Sequence, residues 1–147
     1  MNWDEILEAM RRELECYRSL AKLASTQHQC IQDSRSAELL VVLGKRQEFL
    51  KEIAQLRQKT VIARRNWGEF IAALAQDNRG EAESLNDQTR ELIEQIAAAD
   101  REDTLAMQQK KLEVGRKINQ AASARKFNRA YAAAAYGQGK PGLDIHR

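Results

Sequence analysis

Few residues of the chain have the type and spacing that catalysis or metal binding requires. The 147-residue sequence contains two histidines, His28 and His146, and two cysteines, Cys16 and Cys30. His28 and Cys30 are two positions apart, and side chains at that spacing do not share a face of a helix. We therefore predict that His28 is a partly buried core residue rather than a metal ligand, and that both cysteines are reduced thiols.

Two further clusters suggest a site by composition alone. The sequence DREDT places three acids within residues 100–103, and we predict that they form a solvated helix face. The glycine-rich GQGKPG of residues 137–142 lacks the lysine-then-hydroxyl ending of a phosphate-binding loop, so it indicates a flexible tail over residues 137–147. No nucleophile, acid–base pair or ligand set stands out. The sequence therefore predicts no enzyme activity, cofactor, metal or small-molecule substrate.

The composition is typical of a long helical protein. Charged residues make up 31% of the chain, aromatic residues make up 5%, and there is one proline. The dominant residue types favour helix at nearly every position. No segment approaches the ~20 apolar residues that span a bilayer, and the N-terminus has no signal-peptide pattern. A cytoplasmic protein without membrane insertion is therefore predicted.

The apolar spacing predicts an all-α fold, an elongated, coiled-coil-like, antiparallel three-helix bundle in a single domain of residues 1–147. Its helices are expected at about residues 3–31, 35–76 and 81–136. The third helix is much longer than the first, roughly 78 Å against 45 Å at a rise of 1.5 Å per residue. Its C-terminal part is therefore expected to overhang the bundle.

The helix ends are predicted from capping residues and from glycine. Asn2 is the expected N-cap of the first helix, and Asp33 or Ser34 that of the second. Gly80 is expected to end the second helix, and Ser84 begins a capping-box pattern for the third.

Apolar residues recur in alternating steps of three and four along the first two helices, which is typical of a coiled-coil seam. The first stripe consists of Trp3, Leu7, Met10, Leu14, Tyr17, Ala21, Ala24, His28 and Ile31. The second consists of Val42, Phe49, Ile53, Leu56, Ala63, Trp67, Phe70 and Leu74, with Leu39, Leu43 and Leu50 alongside. Arg46 and Thr60 interrupt the second stripe.

Charge divides the last predicted helix into two halves. Residues 77–103 carry three cations against nine acids, whereas residues 104–140 carry eight cations against Glu113 alone. A basic helix can bind a nucleic acid, because phosphate contacts need little more than lysine and arginine. Membrane-surface helices normally present bulkier leucine and tryptophan, which this segment lacks. Nucleic-acid binding through residues 104–140 is therefore one alternative. A structural coiled coil that oligomerises is another, and the sequence leaves monomer and dimer open.

The segment LLVVLGKRQEFLKEIAQLRQKTVIAR, residues 39–64, resembles the central helix of FlgN-type flagellar export chaperones. The first helix and the late VGRKINQAASARKFNRAYAAAAYG fit the same plan, so the resemblance covers nearly the whole chain. It implies a cytosolic chaperone that binds the C-terminal amphipathic helices of hook–filament junction proteins. Such a chaperone prevents their premature assembly and delivers them to the export gate of the flagellar type III secretion apparatus. One departure is the isoelectric point near 9.0, since chaperones of this general class are often acidic.

The resemblance places the substrate-binding face on the second half of the third helix. The contacts it implies are Leu112, Val114, Ile118, Phe127 and Tyr131. Tyr131 and Tyr136 are the candidate contacts to the export gate, because aromatic side chains with a polar tip suit interfaces.

Overall fold

The computed structural model describes residues 2–136, and this range is helical apart from short connections. Its four helices are α1 (Trp3–Gln32), α2 (Ser36–Arg65), α3 (Trp67–Ala73) and α4 (Gln76–Tyr136). The all-α class predicted from the sequence is confirmed. The number of helices differs from the predicted three, because the expected second helix is divided at Asn66 into α2 and α3.

The first helix begins as the sequence predicts and ends in a way that it does not. The side chain of Asn2 accepts a hydrogen bond of 3.2 Å from the backbone nitrogen of Glu5, so Asn2 is the N-cap. Ser34 has a φ of 55° and closes α1 with the hydrogen-bond pair of a Schellman motif, in which the Arg35 nitrogen donates to the Cys30 carbonyl. The N-cap position of α2 is therefore occupied by Arg35, and the prediction of Asp33 or Ser34 was wrong.

The second reversal of the chain lies earlier than predicted. Leu74 adopts an extended conformation after α3, and α4 begins at Gln76, so Gly80 and Ser84 lie inside a helix and neither ends nor caps one. The guanidinium of Arg79 reaches back and donates to the carbonyls of Ala72 and Leu74, each at 3.2 Å. These carbonyls at the end of α3 would otherwise have no intrahelical donor, so an arginine satisfies the helix end instead of a glycine.

The chain forms two compact units, residues Met1–Ala106 and Met107–Arg147, and each is described by itself. In the first unit, cross-helix pairs show that α2 runs opposite to α1, whereas α4 runs in the same direction as α1. The opposed pairs are Glu13 with Thr60 and Gln27 with Arg46, and the pairs in the same order are Arg11 with Glu81 and Arg18 with Gln88.

The core of the first unit consists of two apolar clusters. The cluster near the start of α1 consists of Ile6, Leu7, Met10, Leu14, Ala63, Phe70, Leu74, Ala82 and Leu85. The second cluster consists of Cys16, Tyr17, Leu20, Ile53 and Ile96. Trp3 and Trp67 pack on either side of Phe70, with ring centroids 5.5 and 5.4 Å from its ring. The predicted stripe of α1 is therefore the side of that helix that forms the core.

Candidate functional site

A buried polar layer interrupts the core of the first unit near the middle of α1. Glu13 is fully buried, and one of its carboxylate oxygens accepts a hydrogen bond of 2.5 Å from the hydroxyl of Thr60. Arg64 donates to the same hydroxyl at 2.8 Å, and its Nη1 also lies 2.8 Å from the second carboxylate oxygen. Thr60, which interrupts the apolar stripe in the sequence, is thus the group that joins a buried acid on α1 to an arginine on α2.

A polar cleft of about 490 Å³ lies beside this layer. Its lining residues are Arg64, Trp67, Glu83, Asn86, Asp87 and Arg90. Two cations and two acids line it, so the charges balance. Among the residues that the structure describes, Nη2 of Arg64 is buried without a hydrogen-bond partner. The cleft is suited to ordered water, which would satisfy such groups, and its lining contains no nucleophile.

A second polar layer connects α1, α2 and α4 near the end of the first unit. Arg46 forms a two-pronged ion pair with Asp100, at 2.7 and 2.8 Å, and donates to the side-chain oxygen of Gln27 at 2.6 Å. The hydrogen bonds to Asp100 raise the pKa of Arg46. The Gln27 amide donates in turn to Asp103 at 2.9 Å, and Nδ1 of His28 lies 2.8 Å from the other oxygen of Asp103.

The prediction that the acids of the DREDT segment form a solvated helix face was wrong for two of the three acids. Asp103 is only 2% exposed, and Asp100 is half-buried against Arg46, so these two acids do not form a solvated face. In the sequence, Arg46 was identified only as an isolated interruption of an apolar stripe. The pairing could have been suspected because each of three helices has a polar residue at a core position, and buried charges are normally paired.

His28 and Asp103 are the pair in the described chain that most resembles catalytic machinery. His28 lines a shallow groove with Ser25, one turn earlier on α1, whereas Asp103 is buried. A serine, a histidine and an aspartate could in principle act together, but no hydrogen bond joins Ser25 to His28 within residues 2–136. His28 is partly buried, as predicted, and its imidazole contacts the carboxylate of Asp103.

Metal ligands and membrane spans were sought over the same residues. No group of three or more histidine, cysteine or acidic side chains within residues 2–136 is placed to hold a metal ion. No helix in that range has the length and apolar character to cross a bilayer. Cys16 and Cys30 are both buried and free, as predicted.

The predicted substrate-binding residues lie in the second unit, and all five are exposed. The exposed fractions of Leu112, Val114, Ile118, Phe127 and Tyr131 range from 56% to 71%. Tyr136 is the last residue of α4, and the contacts of its side chain lie outside what the structure describes. Exposed apolar residues of this size, spaced along one helix, are a surface that a partner can cover.

These five residues do not form one face. Side chains rotate by about 100° per residue around a helix, so Val114 and Ile118, four residues apart, share a side. Phe127 and Tyr131 share another side, half a turn from Ile118. Leu112 lies closer to the side of Phe127. The second unit therefore has two apolar faces, whereas the sequence analysis predicted a single substrate-binding face.

The sequence analysis did not predict a further apolar surface, which lies on α2. The α2 outer stripe, as we name it, consists of the exposed residues Leu40, Leu43, Leu50, Ala54, Val61 and Ile62. Leu43 and Leu50 were expected to lie alongside the core, but both are more than 40% exposed. The signal available in the sequence was the excess of apolar residues on α2 beyond what one core-facing stripe requires.

Comparison with protein families, with curated proteins and with solved structures gave no match for this chain.

Proposed function

We propose that the protein is a chaperone of the FlgN type, which binds amphipathic C-terminal helices of hook–filament junction proteins and delivers them to the flagellar export gate. The observation that carries this proposal is the exposure of the large apolar side chains between Met107 and Tyr131, each at least half exposed on a continuous helix. A helix of this kind offers i, i+4 anchors against which an amphipathic helix can pack.

The two faces of the second unit suggest how a client helix is held. Phe127 and Tyr131 form the aromatic face, and Val114 and Ile118 form the aliphatic face. Interface energy is concentrated in a few residues, and aromatic side chains are enriched among them. We therefore assign the main anchor to the aromatic face and an auxiliary contact to the aliphatic face. Arg125, next to the aromatic face in sequence, favours client helices with acidic residues along their edges.

Delivery to the export gate requires a second contact near the client site. In the proposal, this contact is made by the end of α4, where Tyr136 binds the gate and Tyr131 is shared between the client and the gate. The alanines between these tyrosines maintain helix at little entropic cost and let a partner approach closely.

The test is co-expression of the full chain with tagged C-terminal segments of hook–filament junction proteins, followed by affinity purification. We expect stable co-purification, lost in Phe127→Ala/Tyr131→Ala and reduced in Val114→Ala/Ile118→Ala. The control is Ile93→Ala/Leu105→Ala, which removes two exposed aliphatic side chains from α4 within the first unit, outside every proposed contact. Retention of the client by the aromatic-face variant, with loss in this control, would contradict the proposed site.

The basic character of residues 104–140 favours one competing function, nucleic-acid binding. Salt distinguishes the two, because phosphate contacts release counterions and weaken steeply as salt rises, whereas apolar helix docking persists. Fluorescence polarisation with a labelled DNA duplex and with a labelled client helix, over the same salt range, measures both. Tight DNA binding that falls steeply with salt, together with no client binding, would replace the chaperone proposal.

A further inference from the structure

The helix α2 is apolar on two sides, although only one side packs within the first unit. Val42, Ile53 and Ala63 are buried on the core side. The α2 outer stripe lies on the adjacent side, where its large residues are 37% to 71% exposed. A helix that is apolar around most of its circumference is normally buried around most of it. Its exposed side is therefore an interaction surface that residues 2–136 leave uncovered.

Gly44 lies next to this stripe, one turn after Leu40. Glycine inside a helix destabilises it by about 1 kcal/mol relative to alanine, so it normally has a packing reason. No atom lies within 4 Å of a Cβ added at Gly44, so nothing in the first unit requires a glycine there. A second helix packed along the stripe would pass this position, where a glycine lets two helix backbones approach closely.

Four residues of the stripe are arranged symmetrically along α2. Leu43 with Val61 and Leu50 with Ala54 are each equidistant from position 52, and so are the polar residues Gln47 and Arg57 on the same side of the helix. An interface between identical chains related by a two-fold axis must be complementary to itself. We propose that the α2 outer stripe is the interface of an antiparallel homodimer, in which α2 of a second copy crosses with its midpoint near position 52.

Two polar residues on the same side of α2 as the stripe, Gln47 and Arg57, decide between antiparallel and parallel pairing. In the antiparallel arrangement, the guanidinium of Arg57 faces Gln47 of the second copy and can donate to its amide oxygen. In a parallel arrangement, Arg57 faces Arg57, and like charges across an interface are unfavourable. The avoidance of like charges therefore specifies the direction.

This dimer does not depend on the chaperone proposal. The α2 outer stripe lies entirely within residues 36–65, whereas the proposed client site lies in the second unit. Failure of client binding leaves the dimer unaffected, and the dimer can fail while the client still binds.

The first experiment measures the mass of the full chain by light scattering and sedimentation over a range of concentrations. We expect the mass of two chains for the natural sequence and of one chain for Leu43→Lys/Leu50→Lys, with a dimer dissociation constant raised at least tenfold. Ile93→Lys is the matched control, because Ile93 is an exposed aliphatic residue of similar exposure on α4 and should leave the dimer intact. Circular dichroism confirms that each variant is folded. A single-chain mass for the natural sequence at every concentration would overturn the proposal.

Gly44 gives a second variant that cannot fail through misfolding. Glutamine is a better helix former than glycine, so Gly44→Gln should make the single chain more stable while weakening the dimer. Gly80→Gln is its control, since Gly80 also lies inside a helix with open space around it. A dimer that tolerates Gly44→Gln as well as Gly80→Gln contradicts close packing of the second helix at this position.

The direction of pairing is tested with a short bifunctional thiol reagent. Lys51→Cys lies beside the proposed axis, so two copies should be cross-linked. Ser36→Cys should not react with its counterpart, because antiparallel helices centred on position 52 separate the two copies of residue 36 by about 48 Å. The native thiols are buried, and burial raises the pKa of Cys16 to about 11, so they add little background. Cross-linking through Ser36→Cys would show a parallel dimer and overturn the proposed arrangement.

Discussion

The two units of the chain are both helical, but they differ in whether their apolar residues pack against another helix of the chain. In residues Met1–Ala106, apolar stripes face one another, and even Glu13 and Asp103 are buried with partners. From Met107 onward, apolar residues of similar size, including Leu112 and Phe127, are exposed. Helix propensity is high in both units. The difference lies in whether a stripe meets a complementary stripe within the chain, and this is a property of pairs of helices rather than of any one helix.

This contrast implies different sources of stability. In the first unit, packing and buried polar contacts maintain the helices, as in most globular proteins. In the second, residues 121–134 include seven alanines, so the helix there is maintained mainly by intrinsic propensity. Substitutions should therefore change the free energy of unfolding in the first unit and the binding of a partner in the second. The predictions below test that division, from the largest expected effect to the smallest.

Among the polar contacts, the largest effect on the free energy of unfolding is expected at the Glu13–Thr60–Arg64 layer. Arg64→Met removes the cation and leaves a fully buried carboxylate with the hydroxyl of Thr60 as its only cross-helix partner. Loss of one member of a buried ion pair typically costs 3–5 kcal/mol, and we expect about 3 kcal/mol here because Arg64 is partly exposed. Urea denaturation followed by circular dichroism measures it.

Two variants make that prediction specific. Arg125→Met makes the same chemical change on an exposed position of the second unit, and its free energy of unfolding should stay within about 0.5 kcal/mol of the natural value. Adding Glu13→Gln to Arg64→Met should recover part of the loss, because it removes the uncompensated charge. If Arg64→Met and Arg125→Met lower the free energy of unfolding equally, the two units do not differ in the source of their stability.

A smaller effect is expected at the second polar layer. Asp103→Ala leaves the amide of Gln27 without its acceptor and His28 without its acid, and an unsatisfied buried polar group costs about 1–3 kcal/mol. Glu113→Ala removes an exposed acid from the second unit and should change stability little. Thermal unfolding of the two variants gives the comparison. A neutral Asp103→Ala would show that the layer is not a determinant of stability.

The sequence was sufficient for the parts of the fold that depend on one helix at a time. The α1 stripe from Leu7 to Ile31 and the cap at Asn2 follow from local spacing and local hydrogen bonding. The reversal at Leu74 did not, because it depends on Arg79 reaching carbonyls five and seven residues earlier. Local rules predicted a helix end at Gly80, because they do not account for contacts made by a long side chain such as that of Arg79. Gly80 lies within α4.

The candidate sites show the same limit. Phe127 and Tyr131 could be chosen from the sequence because a basic, alanine-rich segment has few other anchors. The pairing of Arg46 with Asp100, and of Asp103 with Gln27, could not, because each contact joins residues far apart in the chain. The exposed side of α2 was also hidden, because a leucine at a seam-flanking position has the same appearance in the sequence whether a neighbour covers it or not.

The smallest effect on stability is expected where the effect on binding should be largest. Phe127→Ala/Tyr131→Ala removes two aromatic rings, yet exposed substitutions normally change the free energy of unfolding by no more than about 0.5 kcal/mol. Phe70→Ala is the contrast, because its ring is fully buried between two tryptophans, and truncation of such a residue costs about 3–5 kcal/mol. Denaturant titration of both variants, beside the client co-purification, measures stability and binding on the same proteins. If the double variant unfolds as readily as Phe70→Ala, the aromatic face is part of the folded core in solution, and the division between a packed unit and a binding unit does not hold.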